Sequence, residues 1–152
     1  MEPDAIAPDG EPLRIEGYAS LFGEADLNGD VVERGAFAAS LIRTGSSGVR
    51  MLFQHDANEP IGVWDVMRED SRGLFVGGHI LKAAPRGKAT ASLIAQGAVD
   101  GLSIGFRTRR FAPRTGEGRT LLEIDLWEVS IVTFPMLPQA RLRIVKPALL
   151  AA

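Results

Sequence analysis

Residues 121–132 read LLEIDLWEVSIV, a run in which charged and apolar side chains largely alternate. A period of two over this length predicts a long β-strand with one face against a hydrophobic core. If the alternation is regular, Glu128 lies on the apolar face with Ile124 and Leu126. A carboxylate there needs a charged or hydrogen-bonding partner, and a histidine ring N–H would serve. The alternative is a bulge or a strand end at Trp127, which would turn Glu128 back toward water.

Further extended segments around this strand predict a mainly β fold with inserted helices. Strands are predicted in LRIEGYASLF (13–22), VRMLFQH (49–55), IGVWDVMREDSRGLFVGGHIL (61–81, two strands) and LSIGFRTRRF (102–111). Helices are predicted in GAFAASLIRTG (35–45) and in PRGKATASLIAQGAV (85–99), which begins with a proline and ends near Gly97. The total is five to seven strands with two or three helices, a spacing that suits a small bent β-barrel.

The length and composition predict one globular domain. The chain has 152 residues, of which 45% are hydrophobic and 24% charged. We expect a folded domain over residues 12–146, a flexible N-terminal arm over 1–11 and a C-terminal tail over 147–152. The acidic, proline-rich start predicts no signal peptide, and no apolar run approaches a membrane span.

Several function classes are disfavoured by composition. Seventeen basic and nineteen acidic residues give a net charge of −2, which argues against a nucleic-acid-binding barrel. The absence of cysteine excludes disulfides and thiolate chemistry. No phosphate loop, dinucleotide fingerprint or metal-ligand spacing is present, so we expect neither a cofactor nor a metal.

His55 is the histidine best placed for chemistry. It ends the extended run 49–55, and the turn-prone residues DANEP (56–60) follow it. An imidazole exchanges a proton near neutral pH, so His55 could act as a general base. The alternative is a structural histidine with satisfied hydrogen bonds, which is also our interpretation of His79 in the middle of a strand. Asp56 could orient His55, although neighbours on an extended chain point to opposite sides.

Ser103 lies in GLSIGF (101–106), between two glycines that would let a ligand approach the backbone closely. A serine hydroxyl becomes a good nucleophile only when an adjacent base takes its proton. A Ser–His–carboxylate triad is defined by geometry and not by chain order, so His55, Ser103 and Glu128 could form one. Any single serine in a strand is more often an ordinary polar residue. The G-x-S-x-G elbow of α/β-hydrolases is absent.

Four stretches, in order, carry a resemblance to a known family. They are GYASLFGEADLNGDVVERGAF (17–37), MLFQHDANEPIG (51–62), GLSIGF (101–106) and LWEVSIVTFPMLPQAR (126–141). Together they resemble the prohead, or capsid maturation, proteases of tailed bacteriophages and gene transfer agents. This family is distantly related to the herpesvirus assemblin proteases.

The resemblance implies a protease domain over residues 12–146, built as a herpesvirus-protease-like bent β-barrel surrounded by helices. It implies that His55 is the base, Ser103 the nucleophile and Glu128 the third member, where assemblins use a second histidine. Assemblins also use arginines near the oxyanion. Arg141 and Arg143 lie in that region but are not adjacent, and backbone N–H groups near Ser103 are the alternative.

The implied function is that of a serine endopeptidase that acts by acyl transfer without a cofactor. It would cleave the scaffolding segment of the major capsid protein, and itself, inside the immature capsid in the cytoplasm of a bacterial host or producer cell. Neither nucleic acid nor membrane is an expected partner, and a dimer remains open. The alternative is a non-catalytic capsid-assembly or scaffolding protein with the same barrel.

Overall fold

The computed structural model describes residues 11–146, which form eight strands and two α-helices. In chain order these are β1 (Leu13–Leu21), β2 (Val31–Val32), α1 (Ala38–Thr44), β3 (Arg50–Phe53), β4 (Asp56–Glu69), β5 (Gly73–Ile80), α2 (Pro85–Ala95), β6 (Gly101–Pro113), β7 (Arg119–Val132) and β8 (Leu142–Ile144). The predicted mainly β class with two helices is confirmed. The predicted tail, and the predicted arm apart from Glu11, lie outside the described residues.

The strand count exceeds the predicted five to seven because two strands are very short. β2 has two residues and β8 has three. Neither length is enough to show a hydrophobic period. Each strand is instead defined by the neighbour that it joins, since β2 pairs in parallel with β7 and β8 pairs antiparallel with β1.

All eight strands belong to one sheet, in the order β2-β7-β3-β4-β5-β1-β8, with β6 on β7 as well. β7 is the central element, because β6 pairs antiparallel with it and β3 in parallel. The ladder is an open path and does not close into a barrel among the described strands. Two backbone hydrogen bonds do reach across the opening, from Leu102 N–H to the Ala140 carbonyl and from Leu142 N–H to the Asp100 carbonyl.

The hydrophobic core lies behind β7 and fixes its position. Trp64 of β4 is 1% exposed, and its indole N–H donates to the Val129 carbonyl at 3.2 Å. Large side chains from both ends of the sheet surround it, among them Ile15, Phe37, Met51, Ile61, Leu74, Ile80, Leu102, Leu121, Ile124 and Ile131. Each such side chain contributes roughly 1.5–3 kcal/mol when fully buried, so β7 is a rigid platform for the residues on its other face.

A bulge at Trp127 decides which way Glu128 points. Gly105 pairs with Glu128 and Phe106 with Leu126, so Trp127 has no partner on β6 and is 58% exposed. The extra residue shifts the alternation, and both Leu126 and Val129 face the core. The prediction that Glu128 shares the face of Leu126 is therefore wrong. A bulge is present at Trp127, but it does not turn Glu128 out to water, because only 14% of its side chain is exposed. Glu128 lies on the face of β7 that carries Ser130, which is itself buried.

Candidate active site

His55 lies in a two-residue hairpin turn between β3 and β4. Phe53 pairs with Asp56, so Gln54 and His55 form the whole connection. Both have left-handed backbones, with φ of 54° and 61°. Such turns normally use Asn and Gly, and a left-handed conformation costs other residues roughly 1–2 kcal/mol each. The turn predicted at residues 56–60 is wrong, because this segment begins β4.

Hydrogen bonds to the end of β7 hold this turn in place. The backbone N–H of His55 donates to Ser130 Oγ at 3.1 Å, and that of Gln54 donates to the Ile131 carbonyl at 2.9 Å. The Gln54 side chain donates to Thr133 Oγ1 at 2.7 Å and accepts from the Thr133 N–H at 3.2 Å. The strain of the turn is therefore balanced by four bonds to one segment.

Glu128 has a partner for each of its carboxylate oxygens. Oε2 is 2.7 Å from His55 Nδ1, and Oε1 accepts from the Ser130 hydroxyl at 2.6 Å. Only 14% of the side chain is exposed. An ionised carboxylate can only accept, so the proton of a neutral His55 ring lies on Nδ1. The other nitrogen, Nε2, then carries a lone pair that can take a proton.

The hydrogen bond to Glu128 raises the pKa of His55 above its ordinary value of 6.5. The charge of Glu128 acts in the same direction, whereas partial burial of the ring opposes both. The result is a somewhat stronger base than a free imidazole, still able to exchange a proton near neutral pH.

Ser103 lies on β6 directly opposite Ser130 of β7. Opposite residues of an antiparallel pair project from the same face, with Cβ atoms about 4.5–5.5 Å apart. Since Ser130 contacts both Glu128 and the backbone of His55, Ser103 projects beside the His55–Glu128 pair. Ser103 is 5% exposed, and within residues 11–146 its hydroxyl makes no side-chain hydrogen bond. Catalytic hydrogen bonds are often long before substrate binds.

The glycines around Ser103 leave space that other side chains of the protein occupy. A Cβ at Gly105 would lie 2.2 Å from Glu128 Oε2, so the carboxylate fills the space that a side chain would take. A Cβ at Gly101 would lie 2.7 Å from Cδ of Pro135. The close approach to the backbone that these glycines allow is therefore made by Glu128 and Pro135 of the same chain. A small cavity of about 50 Å³ adjoins β6 at Ser103, with a mainly apolar lining that includes Ala19, Leu102, Phe106, Met136 and Leu137.

The remaining predicted residues have other partners. His79 Nδ1 is 2.9 Å from Asp65 Oδ2, in keeping with a structural role in β5. Asp56 does not orient His55, because its carboxylate accepts from the Asn58 N–H at 2.9 Å.

Both arginines considered for the oxyanion form ion pairs elsewhere. Arg141 pairs with Asp100 at 2.7 Å, and Arg143 pairs with Glu16. In the described part of the chain no cluster of three or more His, Asp or Glu side chains could hold a metal ion. None of the helices in that part has the length and hydropathy needed to cross a membrane.

Sequence reasoning missed Ser130, Gln54 and Thr133. Ser130 carried a usable signal, because residues two apart on a strand share a face and Ser130 follows Glu128 by two. Gln54 and Thr133 carried none, since their contact depends on how the hairpin meets the end of β7.

Comparison with known sequences gives two matches. The sequence model of a family described as caudovirus prohead serine protease matches residues 3–150. The prohead protease of enterobacteria phage HK97 is 34% identical over 144 residues, which are 91% of this chain. The chain spans 62% of the length of that relative.

Comparison with solved structures establishes the fold. The capsid assembly protease of bacteriophage T4 has a TM-score of 0.61 at 14% identity, covering 80% of this chain and 81% of its own. The varicella-zoster virus protease has a TM-score of 0.60 at 15% identity, covering 90% and 65%. The KSHV protease, solved with a hexapeptide phosphonate inhibitor, has a TM-score of 0.56 at 13% identity, covering 91% and 67%.

Proposed function

The chain belongs to the caudovirus prohead serine protease family, and from this premise we propose that it is a serine endopeptidase of capsid maturation. Ser103 is the nucleophile, His55 the general base and Glu128 the acid that orients the base. One observation carries the assignment: the 2.7 Å bond between His55 Nδ1 and Glu128 Oε2, on the face from which Ser103 projects.

The reaction follows from this arrangement. The Ser103 oxygen attacks the carbonyl carbon of the scissile peptide while its proton passes to Nε2 of His55. Glu128 keeps the Nδ1 proton in place and stabilises the imidazolium that forms. The imidazolium gives its proton to the leaving amine, and the acyl group remains on Ser103 as an ester. His55 then takes a proton from water as the water oxygen attacks the carbonyl carbon of the ester. The bond to the Ser103 oxygen breaks, that oxygen takes the proton back from His55, and the acyl group leaves as a carboxylic acid.

The oxyanion donors in this proposal are backbone N–H groups near Ser103 other than that of Leu102, which donates to the Ala140 carbonyl. Arg141 and Arg143 are less suitable, because carboxylates already bind their guanidinium groups. Backbone donors need no reorganisation when the negative charge develops, so they stabilise the tetrahedral intermediate effectively.

We assign the domain over residues 12–146 to the protease and the scaffolding segment of the major capsid protein to its substrate. Self-cleavage, action inside the immature capsid in a bacterial cell, and a phage or gene transfer agent origin belong to the same proposal. The two hydrogen bonds between the start of β6 and residues 140–142 support closure of the sheet into a bent barrel.

Co-expression with the cognate major capsid protein tests the function. We expect a shortened capsid protein with the wild type and with Ser92→Ala, whose serine is exposed on α2. With Ser103→Ala we expect full-length capsid protein only, because loss of a nucleophile typically costs several orders of magnitude in turnover. The same bands with all three proteins would favour the non-catalytic scaffolding alternative.

A further inference from the structure

We propose that Ser130 is a positioning residue whose single hydroxyl holds the base and the acid of the site in register. The inference rests on the proposed function for its catalytic meaning, although its structural part can be tested alone. Ser130 is not the nucleophile in this account. It acts on the reaction through His55 and Glu128.

The Ser130 hydroxyl makes two hydrogen bonds, one to Glu128 and one to His55. It donates its only proton to Glu128 Oε1 at 2.6 Å, and its oxygen accepts the His55 backbone N–H at 3.1 Å. The roles cannot be exchanged, because an ionised carboxylate only accepts and a backbone N–H only donates. Ser130 is 0% exposed, so water does not compete for these bonds.

The two bonds restrain different parts of the site. One ends on the backbone of His55, which is held at a φ of 61° in a turn that other residue types would form with less strain. The other fixes the rotation of the Glu128 carboxylate, whose second oxygen contacts the His55 ring. One hydroxyl therefore sets both ends of the 2.7 Å bond between ring and carboxylate.

The register of the sheet places Ser130 between two other strands. Ser130 lies opposite Ser103 on β6 and opposite Leu52 on β3, the strand that leads into the turn. The strand that carries the nucleophile and the hairpin that carries the base therefore both meet β7 at Ser130. A displacement of about 1 Å at such a point can cost roughly a hundredfold in rate.

The chain offers a matched control in Ser40. Its side chain is as well buried, at 2% exposed, and its hydroxyl also accepts a backbone N–H of β7, from Leu126 at 2.9 Å. Ser40 contacts neither His55 nor Glu128. Ser40→Ala therefore removes a similar bond from the same strand without touching the proposed site.

Proton NMR of the His55 Nδ1–H tests the positioning without needing activity, because it can be recorded in a Ser103→Ala background. A ring N–H bonded to a carboxylate gives a far-downfield, slowly exchanging signal, and the chain has only two histidines. We expect Ser130→Ala to broaden or lose the His55 signal and Ser40→Ala to retain it. His79 serves as the internal reference.

Ser130→Thr and Ser130→Val form a pair of equal shape that differs in the hydroxyl. The comparison remains informative even if Ser130→Ala folds poorly. These two variants are made with Ser103 intact. We expect diisopropyl fluorophosphate to react about a hundredfold more slowly with Ser130→Val than with Ser130→Thr. Equal rates and equal His55 signals for the pair would overturn the inference. A wild type that does not react, together with a His55 signal that depends on Ser130, would overturn the proposed function and leave the positioning role standing.

Discussion

A single methyl group added at Gly105 should disable the site. The Cβ of Gly105→Ala would lie 2.2 Å from Oε2 of Glu128, 2.6 Å from Cδ and 2.7 Å from Cγ. All three distances are far shorter than the contacts that Cβ atoms make in real proteins. Since Gly105 lies in the interior of β6, the backbone has little freedom to retreat, and the carboxylate has to move.

The size of the movement follows from these distances. Ordinary contact begins near 3.4 Å, so the oxygen at 2.2 Å must move by 1.2 Å. The same carboxylate is held at 2.7 Å by His55 and at 2.6 Å by Ser130, and a shift of this size cannot preserve both bonds. Misplacement by about 1 Å costs about 10²-fold, and a wrong histidine tautomer costs about 10⁴-fold. We therefore expect the rate to fall by about 10² to 10⁴.

The assay is the second-order rate of reaction with diisopropyl fluorophosphate, followed by intact mass. Ser103 displaces fluoride from phosphorus, and the reaction requires no knowledge of the cleavage site. Gly77→Ala is the matched control, because it also lies inside a strand and the nearest atom to its new Cβ is at 3.8 Å. Thermal melting of both variants checks that they fold.

A folded Gly105→Ala protein that reacts as fast as Gly77→Ala and wild type would contradict this expectation. The orientation of the Glu128 carboxylate would then have no influence on Ser103. The proposed triad would lose its third member.

Two further predictions concern pH and stability. Because Glu128 raises the pKa of His55, the acid limb of the kcat/KM profile should lie above pH 6.5. Glu128→Gln should move this limb down toward pH 6.5. An acid limb that this variant leaves unchanged would show that Glu128 does not act on the base. Arg119 holds the pKa of Asp30 below its ordinary value through hydrogen bonds, so this pair stabilises the protein above about pH 4 and the contribution is lost as pH falls through the folded-state pKa. Asp30→Asn weakens these charge-assisted hydrogen bonds and should therefore lower the free energy of unfolding by about 2 kcal/mol at neutral pH, measured by urea titration. The difference from wild type should shrink in acid, and an equal difference at both pH values would contradict this.

The sequence was informative where a residue has a local effect. Pro85 at the first turn and Gly97 just after the end predicted α2, which spans Pro85–Ala95. Asn-Gly is a tight-turn signal for the same local reason, and Gly29 has a positive φ of 82°. Local conformational preferences decide such features, so no tertiary contact needed to be known.

The bulge in β7 was less accessible to sequence reasoning. The apolar positions change phase between Leu126 and Val129, which is consistent with an inserted residue. The same pattern is also consistent with a strand end, and only the partner strand separates the two. The register of Gly105 against Glu128 shows the insertion at Trp127. Glu128 was thus selected partly by an incorrect argument about the core, and its contact with His55 is made on the opposite face.

The turn that carries His55 could not be predicted from local preference. Gln54 and His55 are poor residues for a left-handed turn, whereas DANEP contains the residue types that turns favour. The bonds to Ser130, Ile131 and Thr133 reverse that preference. These partners are more than seventy positions away in the chain, so tertiary contacts override the local signal here.

The central claim is that His55 activates the hydroxyl of Ser103. The most direct measurement is peptide mapping after reaction with diisopropyl fluorophosphate, for wild type, Ser103→Ala and His55→Ala. We expect one adduct on the peptide that contains Ser103 in the wild type, and none in either variant. An adduct on a different residue, or equally rapid labelling of Ser103 without the histidine, would contradict it.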